Sequence, residues 1–198
     1  MISNQQKPAK EGSGIMTETP EFRISRRFAA SPCLLWSAYT EPERLRLWWG
    51  PKGFTWVRGD LDLRPGGTFF YGMRPPAEAG DFTMWGKWTF RDITAPTPST
   101  PGLMSFLVSF TDAGGTPVRH PMSPTWPLEM LSTTAFIADE GGTRLDCTAV
   151  PINATAEEKA TFAAGAESMR QGWNGTLSQL DDYLARAQAA DVQPATPQ

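Results

Sequence analysis

The feature that most constrains this fold is an apolar stripe near the carboxyl end of the chain. Between Thr155 and about Ala187, apolar residues recur at steps of three and four, at Phe162, Ala166, Met169, Trp173, Leu177, Leu180 and Leu184. This spacing places them on one face of a helix of roughly thirty residues. Thr155 and Glu158 have the spacing of a capping box at its start. No other stretch has a comparable helical period, so this helix must pack against something that is not helical.

Most of the chain before this helix alternates between apolar and polar residues, as half-buried β-strands do. Seven such runs lie near 21–29, 54–63, 68–73, 82–90, 104–110, 128–139 and 143–150. Caps followed by early prolines, at Ser31-Pro32 and at Thr40 to Glu43, predict two short helices after the first strand. The second should end at Trp48-Trp49-Gly50-Pro51. We therefore expect an α+β domain in which a curved antiparallel sheet of about seven strands wraps around the C-terminal helix.

The two ends of the chain differ in composition from this patterned region. Residues 1–20 are polar and rich in Gly, Pro, Ser and Lys, which predicts a disordered leader, with Met16 as an alternative start. Residues 188–198 are predicted to be a disordered tail. A single domain should therefore span 21–187.

Charge and hydropathy exclude several classes of partner. A net charge of −3 and a pI near 5.2 argue against nucleic acid, since phosphate binding needs a basic surface. The sequence has no apolar run of transmembrane length and no signal segment, so we expect no membrane insertion. Cys33 and Cys147 form no CxxC pair, and reduced thiols in the cytoplasm are the simplest interpretation.

Motifs for metal binding and catalysis are missing from the sequence. Two cysteines and one histidine cannot supply the usual three or four N and S ligands, so no metal is expected. His120 lies in a Pro-rich loop, where it is expected to form local hydrogen bonds. Arg64-Pro65-Gly66-Gly67 lacks the pattern of a phosphate-binding loop. We assign no cofactor and no catalytic residue, and we favour a binding protein over an enzyme.

Several motifs in order resemble the START-like, or SRPBCC, superfamily, and within it the branch named after the activator of the heat-shock-protein-90 ATPase. They are Trp48 to Pro51, Asp62 to Gly67, Arg119 to Pro121, Trp126 to Leu131, and Ser168 to Trp173 followed by the helix leucines. The resemblance implies a helix-grip fold with a largely apolar cavity between sheet and helix. It also implies a wide range of activities, from lipid and hormone binding to cyclases, hydrolases and a co-chaperone domain.

Aromatic and methionine residues are the candidates for lining such a cavity, although most would equally fill a core. They are Trp48, Trp49, Phe54, Trp88, Met104, Phe106, Trp126, Met130, Met169 and Trp173. Tyr71 is among the polar residues that could orient a ligand. Gly172 and Gly175 lie inside the predicted helix, where glycine is unfavourable, so they mark either a close helix–sheet contact or a pocket wall.

The sequence is consistent with three functions. The first is binding of a small, mostly apolar or aromatic molecule between sheet and helix. The second is a cyclase- or hydrolase-like enzyme that uses the same cavity. The third is a co-chaperone-like module that binds a chaperone.

Overall fold

The computed structural model describes residues 19–192, and a single antiparallel sheet dominates them. The strands pair in the order β1-β7-β6-β5-β4-β3-β2, so the first two strands of the chain form opposite edges. The strands are β1 (Phe22–Phe28), β2 (Thr55–Leu61), β3 (Thr68–Arg74), β4 (Met84–Thr94), β5 (Gly102–Phe110), β6 (Met130–Asp139) and β7 (Gly142–Pro151). All seven predicted strands are confirmed, with ends that shift by a few residues, as in β4, which begins at Met84.

Two irregularities in the strand register help the sheet to curve. One lies between Trp56 and Arg58 in β2, and the other lies between Phe90 and Asp92 in β4. An extra residue in one strand of a pair bends that strand and increases its twist. The concave face that results carries the apolar members of each alternating run.

Two short helices connect the edge strands, as the caps predict. Helix α1 (Pro32–Thr40) begins at Ser31, whose hydroxyl accepts a hydrogen bond from the backbone N–H of Leu34. Helix α2 (Pro42–Leu45) is a single turn, and the chain leaves helical structure before Trp48. The second helix is therefore shorter than predicted.

The C-terminal helix is divided in two, which corrects the prediction of one continuous helix. Helix α3 (Ala156–Ala164) starts with the predicted capping box between Thr155 and Glu158. After a break at Gly165, helix α4 runs over Ala166–Val192, past the predicted domain end at Ala187. The ring of Trp126 lies against Gly165, where a Cβ atom would come within 2.7 Å of Cζ3. The apolar period continues across the break, so the sequence pattern alone could not locate it.

The core lies between the concave sheet face and the inner faces of α1 and α4. Phe69, Phe136, Leu35 and Leu180 are completely buried within it. Tyr39 packs edge-on against Phe136, with ring centroids 5.1 Å apart. The C-terminal part of the apolar stripe on α4, from Leu177 to Leu184, contributes to this core.

Predictions about the chain ends lie mostly outside the described residues. Of the predicted leader, residues 1–20, all but the last two lie outside the described residues, and so does the end of the predicted tail, residues 193–198. Within residues 19–192, no helix combines the length and the apolarity needed to span a membrane.

Candidate functional site

An apolar cavity of about 250 Å³ lies between the sheet and the first half of α4. Strands β3 to β7 and the start of β1 form its floor, α4 forms one side, and the loop that follows α2 closes it. Its wall consists of Phe22, Trp49, Gly50, Pro51, Tyr71, Met73, Met84, Trp88, Phe106, Val108, Met130, Ser132, Ala149, Met169, Gly172, Trp173 and Thr176. Pro51 and Gly172 are exposed, and they place the opening between the loop and the helix.

Six of the ten residues predicted for a ligand site lie in this wall. They are Trp49, Trp88, Phe106, Met130, Met169 and Trp173. Residues from the α2 loop, from three strands and from α4 thus meet around one space. Their role in binding remains a prediction, which the proposed function takes up.

The other four predicted residues lie elsewhere. Trp48 is buried in the core, where its indole N–H donates to the carbonyl of Ala38 at 2.9 Å. Met104 is fully buried in β5 and does not reach the cavity. Phe54 lies just before β2, outside the wall.

Trp126 belongs to the long loop between β5 and β6. It packs on Phe162 of α3, with ring centroids 5.5 Å apart, and on Gly165. Arg119 of the same loop forms an ion pair with Glu158 and donates to the carbonyl of Trp126. This loop therefore supports the helix break and does not line the cavity.

Four aromatic rings form the most continuous part of the cavity wall. Trp88 and Phe106 are stacked, with centroids 4.3 Å apart and planes 22° from parallel. Trp49 meets Trp88 edge-on at 4.7 Å and meets Trp173 at 5.8 Å. Trp49 therefore bridges the sheet and α4. Edge-on and offset contacts of this kind are the favoured arrangements of aromatic pairs, so these rings hold one another in place.

Helix α4 fixes the loop that carries Trp49. Gln179 donates to the carbonyl of Gly50 at 2.6 Å, and the hydroxyl of Thr176 donates to the same oxygen at 3.3 Å. Gly50 has a φ of +117°, a conformation that favours glycine. The Trp-Trp-Gly-Pro motif thus places one tryptophan in the core and the next in the cavity wall.

Polar atoms are few in the cavity wall. The hydroxyl of Ser132 donates to the carbonyl of Thr148 at 2.9 Å, and that of Thr176 is paired with Gly50. The Tyr71 hydroxyl has no hydrogen-bond partner within residues 19–192. Burial raises the pKa of Tyr71 to about 12, so this phenol stays protonated at neutral pH.

Charged groups are absent from the described wall. Among residues 19–192, those that line the cavity include no Asp, Glu, Lys, Arg, His or Cys, so Tyr71 is the titratable group in contact with the space. The same part of the chain contains no cluster of three or more His, Cys, Asp or Glu that could hold a metal ion. His120 lies outside the wall, and its Nδ1 accepts from the N–H of Met122 at 3.2 Å, the local role expected of it.

The glycines divide into two kinds. Gly59, Gly72 and Gly86, within strands, each lie beneath an aromatic ring, those of Trp56, Trp85 and Tyr71 respectively. A Cβ at Gly172 or Gly175 of α4 would meet nothing within 4 Å, so neither marks a close helix–sheet contact. Gly172 borders the cavity, which agrees with the prediction that this segment forms a pocket wall. Gly175 does not border the cavity.

The candidate list missed several wall residues. Val108 and Ser132 follow Phe106 and Met130 by two positions, and the strand period places them on the same face. Thr176 follows Trp173 by three positions on α4. These residues are neither aromatic nor methionine, so the choice of candidates by residue type passed over them. The strand and helix periods would have identified them as neighbours of the candidates on the same faces.

A curved antiparallel sheet that grips a long C-terminal helix over an apolar cavity defines a helix-grip domain of the START-like class. The model of one family within this class, described as "Activator of Hsp90 ATPase homolog 1-like protein", matches residues 29–185. The chain belongs to this family.

Solved structures agree with this assignment. Protein Ms6760 from Mycobacterium smegmatis is 26% identical, with a TM-score of 0.66, and the match covers 91% of this chain and 94% of that one. Protein NE0264 from Nitrosomonas europaea is 25% identical, with a TM-score of 0.59, over 85% of this chain and 96% of that one. A protein from Arthrobacter aurescens shares the fold at 24% identity and a TM-score of 0.66, over 89% and 88%. A comparison with functionally curated proteins found no match.

Proposed function

We propose that this protein binds a small, mostly apolar molecule in the cavity between the sheet and α4. The observation that carries the proposal is a preformed space with aromatic and methionine walls that opens to solvent beside Gly172. A space of this kind is unfavourable for water, because few wall atoms offer hydrogen bonds. Filling it with an apolar molecule restores the contacts that the wall atoms otherwise lack.

The cavity volume limits the size of the ligand. About 250 Å³ exceeds the roughly 150 Å³ cavity that holds benzene, and it lies just below the roughly 300 Å³ of the smallest drug-sized sites. A compound of one or two rings, or a short alkyl chain, has suitable dimensions. A sterol or a diacyl lipid exceeds this volume.

The wall also favours aromatic compounds among apolar ones. Trp49, Trp88, Phe106 and Trp173 offer ring faces and edges to a planar guest. Four methionines, Met73, Met84, Met130 and Met169, line the same space, and their flexible thioethers adapt to the guest's outline.

A titration of 15N-labelled protein with naphthalene, followed by the indole N–H resonances, tests the proposal. Saturable shifts are expected for Trp49, Trp88 and Trp173. Trp36 packs on Phe136 away from the cavity and serves as an internal control. Absence of saturable shifts, or shifts of equal size at Trp36, would show that the cavity takes up no apolar guest.

We infer that binding takes place in the cytoplasm. The two cysteines support this location, since Cys33 is exposed and Cys147 is buried, and both are free thiols.

A further inference from the structure

Two hydrogen-bond donors of the cavity wall, on Tyr71 and Trp49, lie close together without acceptors among the described residues. The indole Nε1 of Trp49 is buried without a hydrogen-bond partner among the described residues. The Tyr71 hydroxyl forms no hydrogen bond with another described residue, and burial alone raises its pKa. Their ring centroids lie 6.2 Å apart. By contrast, the hydroxyls of Ser132 and Thr176 already donate to backbone carbonyls. The donors on Tyr71 and Trp49 therefore have no hydrogen-bond acceptor in the described cavity wall.

The Tyr71 hydroxyl is held in position by its surroundings. It lies over Gly86 of the neighbouring strand, and a Cβ at that position would overlap the hydroxyl. The ring packs against Phe69, with centroids 5.0 Å apart. A phenol is a better donor than acceptor, so a guest in the cavity satisfies this group best by offering it an oxygen.

Charge distribution excludes ionic guests. An ion that enters the cavity loses its hydration and finds no opposite charge among the described wall residues. Arg170 stacks over the ring of Phe22 at 5.7 Å, but its guanidinium donates to the carbonyl of Arg23. Arg170 lines a separate surface groove with Arg23 and Asn174.

We infer that the ligand is an uncharged aromatic compound with a carbonyl oxygen that accepts a hydrogen bond from Tyr71. This inference rests on the proposed function, since it specifies the molecule that the cavity holds. An aromatic ketone or ester combines the three required properties, which are a planar apolar body, no charge and one exposed acceptor.

Three compounds of similar shape test the inference. Acetophenone carries the carbonyl, α-methylstyrene replaces its oxygen with a methylene group, and benzoate replaces the methyl ketone with a carboxylate. Each is titrated into wild-type protein and into Tyr71→Phe, which keeps the ring and removes only the hydroxyl. The dissociation constant and the carbonyl 13C shift of bound acetophenone are measured.

Loss of the hydroxyl is expected to weaken acetophenone binding about fivefold, the effect of one net hydrogen bond. The affinity for α-methylstyrene should stay unchanged, and benzoate should show no saturable binding. In wild type the bound carbonyl should shift downfield, a signal of hydrogen bonding that does not depend on the variant.

The failure of this inference differs from the failure of the proposed function. If α-methylstyrene binds but acetophenone binds equally to both proteins without a downfield carbonyl shift, the hydrogen bond is refuted and the apolar site stands. Benzoate that binds as tightly as acetophenone would refute the requirement for an uncharged guest. If neither α-methylstyrene nor acetophenone binds, the site itself is refuted.

Discussion

Tyr71 of β3 and Gly86 of β4 are directly paired across the sheet, and the hydroxyl end of the phenol ring lies over the glycine. The glycine has no side chain there, and the ring occupies the space that one would take. This arrangement keeps the Tyr71 hydroxyl at the cavity wall. It also explains why a strand that faces the core contains a glycine.

Replacing Gly86 with Ala should displace the Tyr71 ring. Because the added Cβ overlaps the hydroxyl, we expect a loss of about 1–3 kcal/mol in the free energy of unfolding, the usual cost of overpacking. Chemical denaturation measures it. Gly175→Ala is the matched control, since its Cβ enters open space, and it should stabilise the helix by about 0.5–1 kcal/mol. Equal effects of the two changes would contradict the close Tyr71–Gly86 contact.

A leucine at Gly172 should obstruct the cavity opening. Both Gly172→Leu and Gly175→Leu place a better helix former in open space, so both should raise the melting temperature slightly. Only Gly172 borders the cavity, so only Gly172→Leu should weaken the binding of naphthalene. Calorimetric titration of the two variants separates the effects. Unchanged binding to Gly172→Leu would mean that α4 supports the fold without forming part of the site.

Glu158 should make folding stability depend on acid pH. A hydrogen bond from the backbone of Thr155 and then one from Arg119 hold the pKa of Glu158 below its ordinary value of 4.5. A lowered folded pKa gives stability that is present above pH 4.5 and is lost as the pH falls through the folded value. The melting temperature of wild type should therefore be higher than that of Glu158→Gln at pH 7. The difference between the two melting temperatures should become smaller below pH 4.5.

Glu157 provides the control for this pH profile. It is exposed one position earlier in α3, so Glu157→Gln removes the same charge without removing the capping box or the Arg119 contact. Its melting temperature should follow that of wild type more closely. If the difference in melting temperature between wild type and Glu158→Gln stays constant from pH 7 to pH 3, the pKa of Glu158 is not lowered in the folded protein.

The two thiols should react at very different rates. Burial raises the pKa of Cys147 to about 12, whereas Cys33 is exposed on α1. A disulfide reagent at neutral pH should therefore modify one thiol quickly and the second only after denaturation. Cys33→Ser should remove the fast phase. Rapid reaction of Cys147 in the folded protein would show that this part of the core opens readily.

The sequence predicted most of the fold because alternation and capping are local signals. Seven strands, the Ser31 cap and the Thr155–Glu158 capping box all depend on residues close together in the chain, and all are present. The break at Gly165 depends on Trp126, far away in the sequence, so the helical period gave no sign of it.

The candidate site was harder to predict, because core and cavity residues share the same pattern. Trp48 and Trp49 are adjacent and chemically identical, yet the first hydrogen-bonds to Ala38 in the core and the second lines the cavity. Which of them faces an open space depends on how α4 and the loop pack together. The resemblance indicated that a cavity exists, and only the tertiary contacts locate its wall.

Two alternative functions remain predictions. A cyclase- or hydrolase-like reaction would depend on Tyr71 as its acid, since Tyr71 is the titratable group in the described wall. Its raised pKa makes it a hydrogen-bond donor and a weak general acid. A co-chaperone role would use the outer surface and would not require the cavity.

A crystal soaked in bromobenzene would show whether the cavity takes up an apolar molecule, because the bromine atom can be located by its anomalous signal. We expect a bromine peak inside the cavity, among Phe106, Met130 and Trp173. Soaked crystals of Gly172→Leu should show a weaker peak. A wild-type cavity without bromine at the solubility limit of the compound would contradict the binding of an apolar molecule between the sheet and α4.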